Sequence, residues 1–160
     1  MTKSQLRAQM LAELQSLDAD YKSKASATIV SQLDLLMEMT GATKIASFDP
    51  FQSEPQIQPF NAKHHIAIPQ THEDGFMDMV DATGKIIPPE NIELILIPCL
   101  AYDPDTCDRL GRGRSYYDRY LAECTNALKV IVAFSIQAIE DLPIEPHDLP
   151  ADLIVTETGR

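Results

Sequence analysis

The chain has 160 residues, 44% hydrophobic and 23% charged, with a formal net charge of -11 and a pI of about 4.6. That size and composition fit one globular domain with a real hydrophobic core, not a disordered or fibrous chain. So acidic a surface repels phosphate overall and argues against nonspecific binding to nucleic acid or an anionic membrane, so an anion site would need locally gathered positive charge.

Residues 3–17 predict an amphipathic helix, with Leu6, Met10, Leu14 and Leu17 at spacings of three and four. Lys3 and Arg7 share a face near its start, the end where the helix dipole disfavours cations. Alone they read as solvated charges. A second helix is expected from about Asp20 to Met39, striped by Ile29, Leu33, Leu36 and Met37 and stopped by Gly41. KIASF (44–48) reads as a strand. DPFQSEPQIQPF (49–60) reads as a proline-rich loop with room for one helical turn. HIAI (65–68) and FMDMV (76–80) are further strands, and the alternation of the second predicts one exposed face.

LILIP (94–98) is apolar on both faces, as inside a parallel sheet; its shortness and its proline favour a strand over a buried helical segment. A loop, CLAYDPDTCDRLGRGRS, leads to a helix from about Ser115 to Cys124. KVIVAF (129–134) and DLIVT (152–156) complete the strands. The alternation predicts an α/β fold, with a mainly parallel central sheet flanked by helices in a Rossmann-like three-layer sandwich, one domain over residues 1–160. Cys99, Cys107 and Cys124 are odd in number and widely spaced, so reduced structural thiols are expected rather than a disulfide scaffold or zinc knuckle. His64, His65, His72 and His147 read as surface or turn residues. No apolar run is long enough to span a bilayer, and MTKSQLRAQM lacks a signal core, so a cytoplasmic location is expected.

The segment RLGRGRSYYDRYL (109–121) stands out. Four of the six arginines fall between Arg109 and Arg119, with no lysine among them. Gly111 and Gly113 permit tight turns and close approach of main-chain N–H groups. The helix start adds unpaired donors and the positive end of a dipole. Arg109, Arg112 and Arg114 add fixed charge with bidentate geometry. Together these favour a polyphosphate, although the spacing matches neither a P-loop nor a dinucleotide fingerprint. The competing reading is a solvated turn whose arginines pair with the chain's many carboxylates. Asp118 reads either as a magnesium ligand beside phosphate or as an ordinary helix-start aspartate. Tyr116 and Tyr117 would stack on a flat ring or fill the core.

LILIPCLAYD followed by RLGRGRSYYDRYL resembles the signature of the 5-formyltetrahydrofolate cyclo-ligase (methenyltetrahydrofolate synthetase) family. That pattern is a buried strand, Pro-Gly-Leu-Ala-Phe-Asp, then Arg-Leu-Gly-Arg-Gly and Tyr-Tyr-Asp. Further matches fall in order along the chain: Lys3, Leu6 and Arg7; IASFDPFQSEP with Glu54; Leu142-Pro143; His147-Asp148; and Asp152–Glu157. The resemblance implies an enzyme that uses MgATP to convert 5-formyltetrahydrofolate to 5,10-methenyltetrahydrofolate, releasing ADP and phosphate.

It also implies roles for individual residues. Lys3, Arg7, Arg109, Leu110, Gly111, Arg112, Gly113, Arg114, Ser115, Tyr116 and Tyr117 would hold ATP. Arg112, with Arg114 as second choice, would stabilise the transferring phosphoryl group. Glu54 would hydrogen-bond the pterin with Tyr117 beside it, and Asp118 and Asp148 would hold Mg2+. No covalent cofactor, nucleic acid, membrane or obligate protein partner is implied. Cys99 and Ser115 replace glycines of the pattern, Gln70 stands where many members carry arginine, and IIPPENIE is a short counterpart of a longer element. These departures touch the folate side more than the ATP side. The alternative is therefore a nucleotide-binding relative with another substrate or a regulatory role.

Overall fold

The computed structural model describes residues 1–113 and 116–159. The first helix, α1 (Lys3–Gln15), opens on a capping box: the Thr2 hydroxyl accepts from the Gln5 amide while the Gln5 side chain takes the Thr2 N–H. It ends two residues before the predicted limit, and Leu17 still packs on the core. The long helix α2 (Ala19–Thr40) is capped by Asp18 and closed by Gly41 at φ 67, the left-handed value that glycine adopts without penalty. Neither helix is long and apolar enough to cross a membrane, nor is any other among the described residues.

The strands are β1 (Ile45–Ala46), β2 (Ile66–Thr71), β3 (Met77–Asp81), β4 (Ile86–Ile87), β5 (Leu94–Ile97), β6 (Ala101–Tyr102), β7 (Arg109–Leu110), β8 (Leu128–Val132) and β9 (Leu153–Val155). Short helices α3 (Gln58–Lys63) and α4 (Tyr116–Glu123) follow β1 and β7. Seven strands form one sheet in the order β4-β3-β2-β1-β5-β8-β9. The pairs from β2 through β9 are parallel, and β3 and β4 extend the edge as an antiparallel meander.

Successive residues of the central strands point to opposite faces. Leu94 and Leu96 of β5 and Val130 and Val132 of β8 pack with α1, α2 and α3; Ile95, Ile97 and Ile131 pack with Tyr120 and Leu121 of α4. This gives three layers, helix on sheet on helix, as the alternation of elements predicts. All four residues of β5 are fully buried, which is why LILI carries no polar face.

Two predicted elements change. KIASF shortens to two residues because the Phe48 carbonyl is taken by the Asn61 side chain at 2.8 Å rather than by a neighbouring strand. The stretch read as loop after β5 contains a small hairpin, β6 against β7, pairing Ala101 with Leu110 and Tyr102 with Arg109. Its turn is held by the Asp103 carboxylate, which accepts the Asp105 amide at 2.9 Å, and by the Cys107 amide bonded to the Asp103 carbonyl at 2.9 Å.

The connections run in opposite directions from the centre. From β1 the chain crosses through α3 to β2, and from β5 it crosses through α4, on the other face, to β8. Such a reversal opens a crevice beyond the carboxyl ends of the two central strands. Leu96→Ala, which removes a wholly buried side chain from the middle strand, should cost about 3 kcal/mol. Urea unfolding would show this as a lower midpoint with an unchanged slope.

Candidate active site at the carboxyl edge of the sheet

A cavity of about 750 Å³ fills that crevice, within the range of small-molecule sites. The β1–β2 connection supplies Phe48, Asp49, Phe51 and Glu54. The β2–β3 hairpin supplies Ile68, Pro69, Thr71 and Met77. The β5–α4 segment supplies Pro98, Cys99, Arg109 to Gly113, and Tyr116 to Asp118. Lys3 and Arg7 reach in from α1, and Glu145, His147 and Asp148 from the loop before β9. All the described residues among the predicted site positions therefore meet around one cavity. Arg114 and Ser115 lie outside the described residues.

The cationic part is ordered by specific bonds. Lys3 Nζ lies 2.9 Å from Asp148 Oδ2 and 3.3 Å from Glu145 Oε1. Burial works to lower the Lys3 pKa, but the two carboxylates outweigh it and leave the value raised. Burial likewise works to raise the Asp148 pKa, and the Lys3 bond and the Glu145 amide more than offset that, leaving it lowered. Arg7 Nε donates to the Gly111 carbonyl at 2.9 Å, tying α1 to the glycine bend. The capped start of α1 thus delivers both of its cations to the cavity.

Arg109 is almost wholly buried. Its Nε and Nη2 donate to the Pro98 carbonyl at 3.2 and 3.0 Å, its guanidinium lies 5.3 Å from the Tyr117 ring centre, and Nη1 is 3.7 Å from Asp118 Oδ1. Burial raises the Asp118 pKa, Arg109 opposes it, and the nearby negative Asp148 raises it further. Both glycines of the bend are needed, for different reasons. Gly113 has φ 110, whereas Gly111 lacks a positive φ and instead leaves room for Arg109, whose Nη2 would come within 2.9 Å of an added Cβ. Leu110 is buried in the core at 2% exposure while also lining the cavity.

Glu54 is buried beside this cluster. Its Oε1 accepts the Phe51 amide at 2.7 Å, and its Oε2 is 3.9 Å from Arg112. Burial raises its pKa, against the Phe51 bond and the charges of Arg112 and Arg109. Arg112 donates from Nη2 to Ser53 Oγ at 2.9 Å and lies 4.6 Å over the exposed Phe51 ring. It is therefore held by the segment that carries Glu54. Tyr117 is half-buried against Arg109, and burial raises its pKa, so its hydroxyl stays protonated.

A scan of family models matches residues 83–157 to the 5-formyltetrahydrofolate cyclo-ligase family. A 5-formyltetrahydrofolate cyclo-ligase from Mycoplasma pneumoniae is 28% identical over 98% of this chain and 99% of its own length. One from Mus musculus is 25% identical over 97% of this chain and 93% of its own. Among solved structures, a 5,10-methenyltetrahydrofolate synthetase from Mycoplasma pneumoniae superposes with a TM-score of 0.89 at 28% identity, covering 98% of this chain and 99% of that one. The synthetase from Aquifex aeolicus gives 0.87 at 28% identity, covering 99% and 91%. Along nearly its whole length the chain is similar to 5-formyltetrahydrofolate cyclo-ligases, and it shares the fold of the 5,10-methenyltetrahydrofolate synthetases.

Against the pattern of that family, Cys99 in place of glycine lines the cavity. Its thiol is pushed up to about 12 by burial, with Arg109 pulling the other way, so it stays protonated and is no nucleophile. Its carbonyl is held by Gln137 Nε2 at 2.8 Å. Gln137 shapes the site with no motif to announce it, and Ser53 and Phe51 lie in the IASFDPFQSEP match, of which only Glu54 was expected in the site. Gln70 is exposed on β2, away from the cavity lining.

Glu54 has a folded-state pKa above the ordinary 4.5. Below that value the group is protonated whether folded or not, and stability is lost as pH rises through the folded value and the buried carboxyl must ionise. Glu54→Gln should therefore melt higher than wild type at pH 7. The difference should shrink to nothing as the pH falls below 4.5; thermal melts across that range test it.

Proposed function

We propose that the chain converts 5-formyltetrahydrofolate to 5,10-methenyltetrahydrofolate with ATP as co-substrate, releasing ADP and phosphate. One observation carries this reading. A single cavity joins a cationic, carboxylate-bearing part, with Lys3, Arg7, Arg109, Asp118 and Asp148, to a part lined by Glu54, Phe51, Ile68, Met77 and Tyr117. A polyphosphate suits the first and a flat, polar-edged heterocycle the second.

A formamide oxygen is a poor leaving group and its carbon a weak electrophile. Transfer of the γ-phosphoryl group of ATP to that oxygen gives an iminium-type phosphate ester and ADP. Attack of N10 on the activated carbon closes the five-membered ring; N10 gives up its proton, and breaking the carbon–oxygen bond expels phosphate, which takes up that proton directly or through solvent. The chain's contribution is alignment and electrostatics. Lys3, Arg7 and the Arg109–Gly113 bend bind and orient the phosphates. Arg112, on the bend and 3.9 Å from Glu54, stabilises charge on the transferring group. Glu54 hydrogen-bonds the pterin, and Tyr117 packs beside it.

Asp118 and Asp148 fit magnesium. They line one cavity, and the negative Asp148 raises the cost of ionising Asp118, a repulsion that a cation relieves. Two carboxylates suffice because Mg2+ takes its remaining ligands from phosphate and water. Held there, a magnesium ion would supply positive charge against the phosphates.

Purified protein given 5-formyltetrahydrofolate and MgATP should produce the near-ultraviolet band of methenyltetrahydrofolate, with none when ATP is omitted or magnesium is chelated. Absence of the band, with ATP binding shown separately, would favour a nucleotide-binding relative acting on another substrate. Arg112→Ala should lower turnover by about a thousandfold. Its melting temperature should fall only slightly, because the side chain is partly exposed and stands 3.9 Å from the Glu54 carboxylate, whose charge it offsets. Near-normal turnover would remove Arg112 from the phosphoryl-transfer role.

A further inference from the structure

Arg119 belongs to the arginine-rich segment but does not line the large cavity. It sits one turn after Tyr116 on the same face of α4, and that face meets the tip of the β2–β3 hairpin. Arg119 Nη1 donates to the Asp74 carbonyl at 3.3 Å, and its guanidinium lies 5.5 Å from the Phe76 ring centre. Tyr116 Oη donates to the His72 carbonyl at 3.3 Å. Gly75, at φ 86, leaves its Cα bare where Arg119 passes, and a Cβ there would lie 2.2 Å from Nη1. Hairpin tip and helix are thus shaped to each other around one guanidinium.

The outer end of the hairpin is otherwise held by the Tyr116 bond and by Met77, which is buried in one cluster with Tyr120 and Leu121 of α4. Phe76 is 52% exposed, and beyond β3 lies only the two-residue edge strand β4. Yet the same hairpin carries Ile68, Thr71 and Met77 into the cavity, facing Tyr116 and Tyr117 of α4. The width of this part of the cavity therefore depends on how the hairpin is fastened to the helix.

We propose that Arg119 is a positioning residue that clips the β2–β3 hairpin to α4 and so fixes the wall against which the pterin-bearing substrate packs. This rests on the reading that the wall receives the reduced folate. No phosphate contact is involved, so the two substrates should respond differently. Arg119→Ala should raise KM for 5-formyltetrahydrofolate about fivefold while leaving kcat and KM for ATP unchanged. Arg119→Lys, which keeps a donor for the Asp74 carbonyl, should recover part of the loss.

Hydrogen exchange gives a readout that needs no turnover. In Arg119→Ala, amides of residues 71–78 should exchange faster while those of 94–97 stay protected. Unchanged exchange at 71–78 would overturn the clip. Faster exchange with an unchanged folate KM, or with KM for ATP raised equally, would overturn its role in folate binding. If wild-type protein itself fails to turn over 5-formyltetrahydrofolate, the functional reading fails, and the exchange result still decides the clip.

Discussion

A guanidinium does not lose its proton, so Arg109 can be buried only if its charge and its donors are matched in place. Its partners are the carbonyl that ends β5, the ring of Tyr117 and the carboxylate of Asp118. Those partners belong to the exit of the central strand and to the first turn of α4. The arginine itself closes the β6–β7 hairpin. One ion thereby sets the relative positions of three pieces of backbone that the core alone would leave adjustable. Gly111 is part of the same constraint, since a side chain there would displace the ion.

The rest of the charge in the cavity follows from the acidity of the chain. Each described cation of the site has a protein partner: Lys3 has Asp148 and Glu145, Arg7 a carbonyl, Arg112 the Ser53 hydroxyl with Glu54 nearby. The two readings of the glycine bend, polyphosphate site or paired surface turn, are therefore not opposites. Internal pairing holds the positive charge of the site in place, and an anion entering the cavity would exchange with those partners rather than meet bare cations.

Much of this was legible in the sequence because the fold is built on strong periodic signals. LILI, the α2 stripe and Gly41 lie where period and punctuation put them, and the cationic pair of α1 makes sense once Arg7 is seen on the bend. The losses have local causes. β1 is short because a side-chain amide outcompetes the ladder for one carbonyl, and the β6–β7 hairpin is too brief for alternation to register. Within the site, charged residues of the motif were visible, whereas Gln137, Ser53 and Phe51 were not. Their work is to orient a backbone carbonyl or a guanidinium across more than thirty residues of sequence, and such pairing leaves no spacing to read.

The reversal of connections at the centre of the sheet divides the cavity by ancestry of backbone. The segments leaving β1 and β2 build the wall with Glu54, Ile68 and Met77, and the segments leaving β5 and β8 build the bend and the acidic pair. Insertions, deletions or drift in the β2–β3–β4 meander consequently reshape one ligand's berth without disturbing the other's. The short segment between β3 and β5 lies at that outer edge of the sheet, whereas the glycine bend and the acidic pair are built elsewhere.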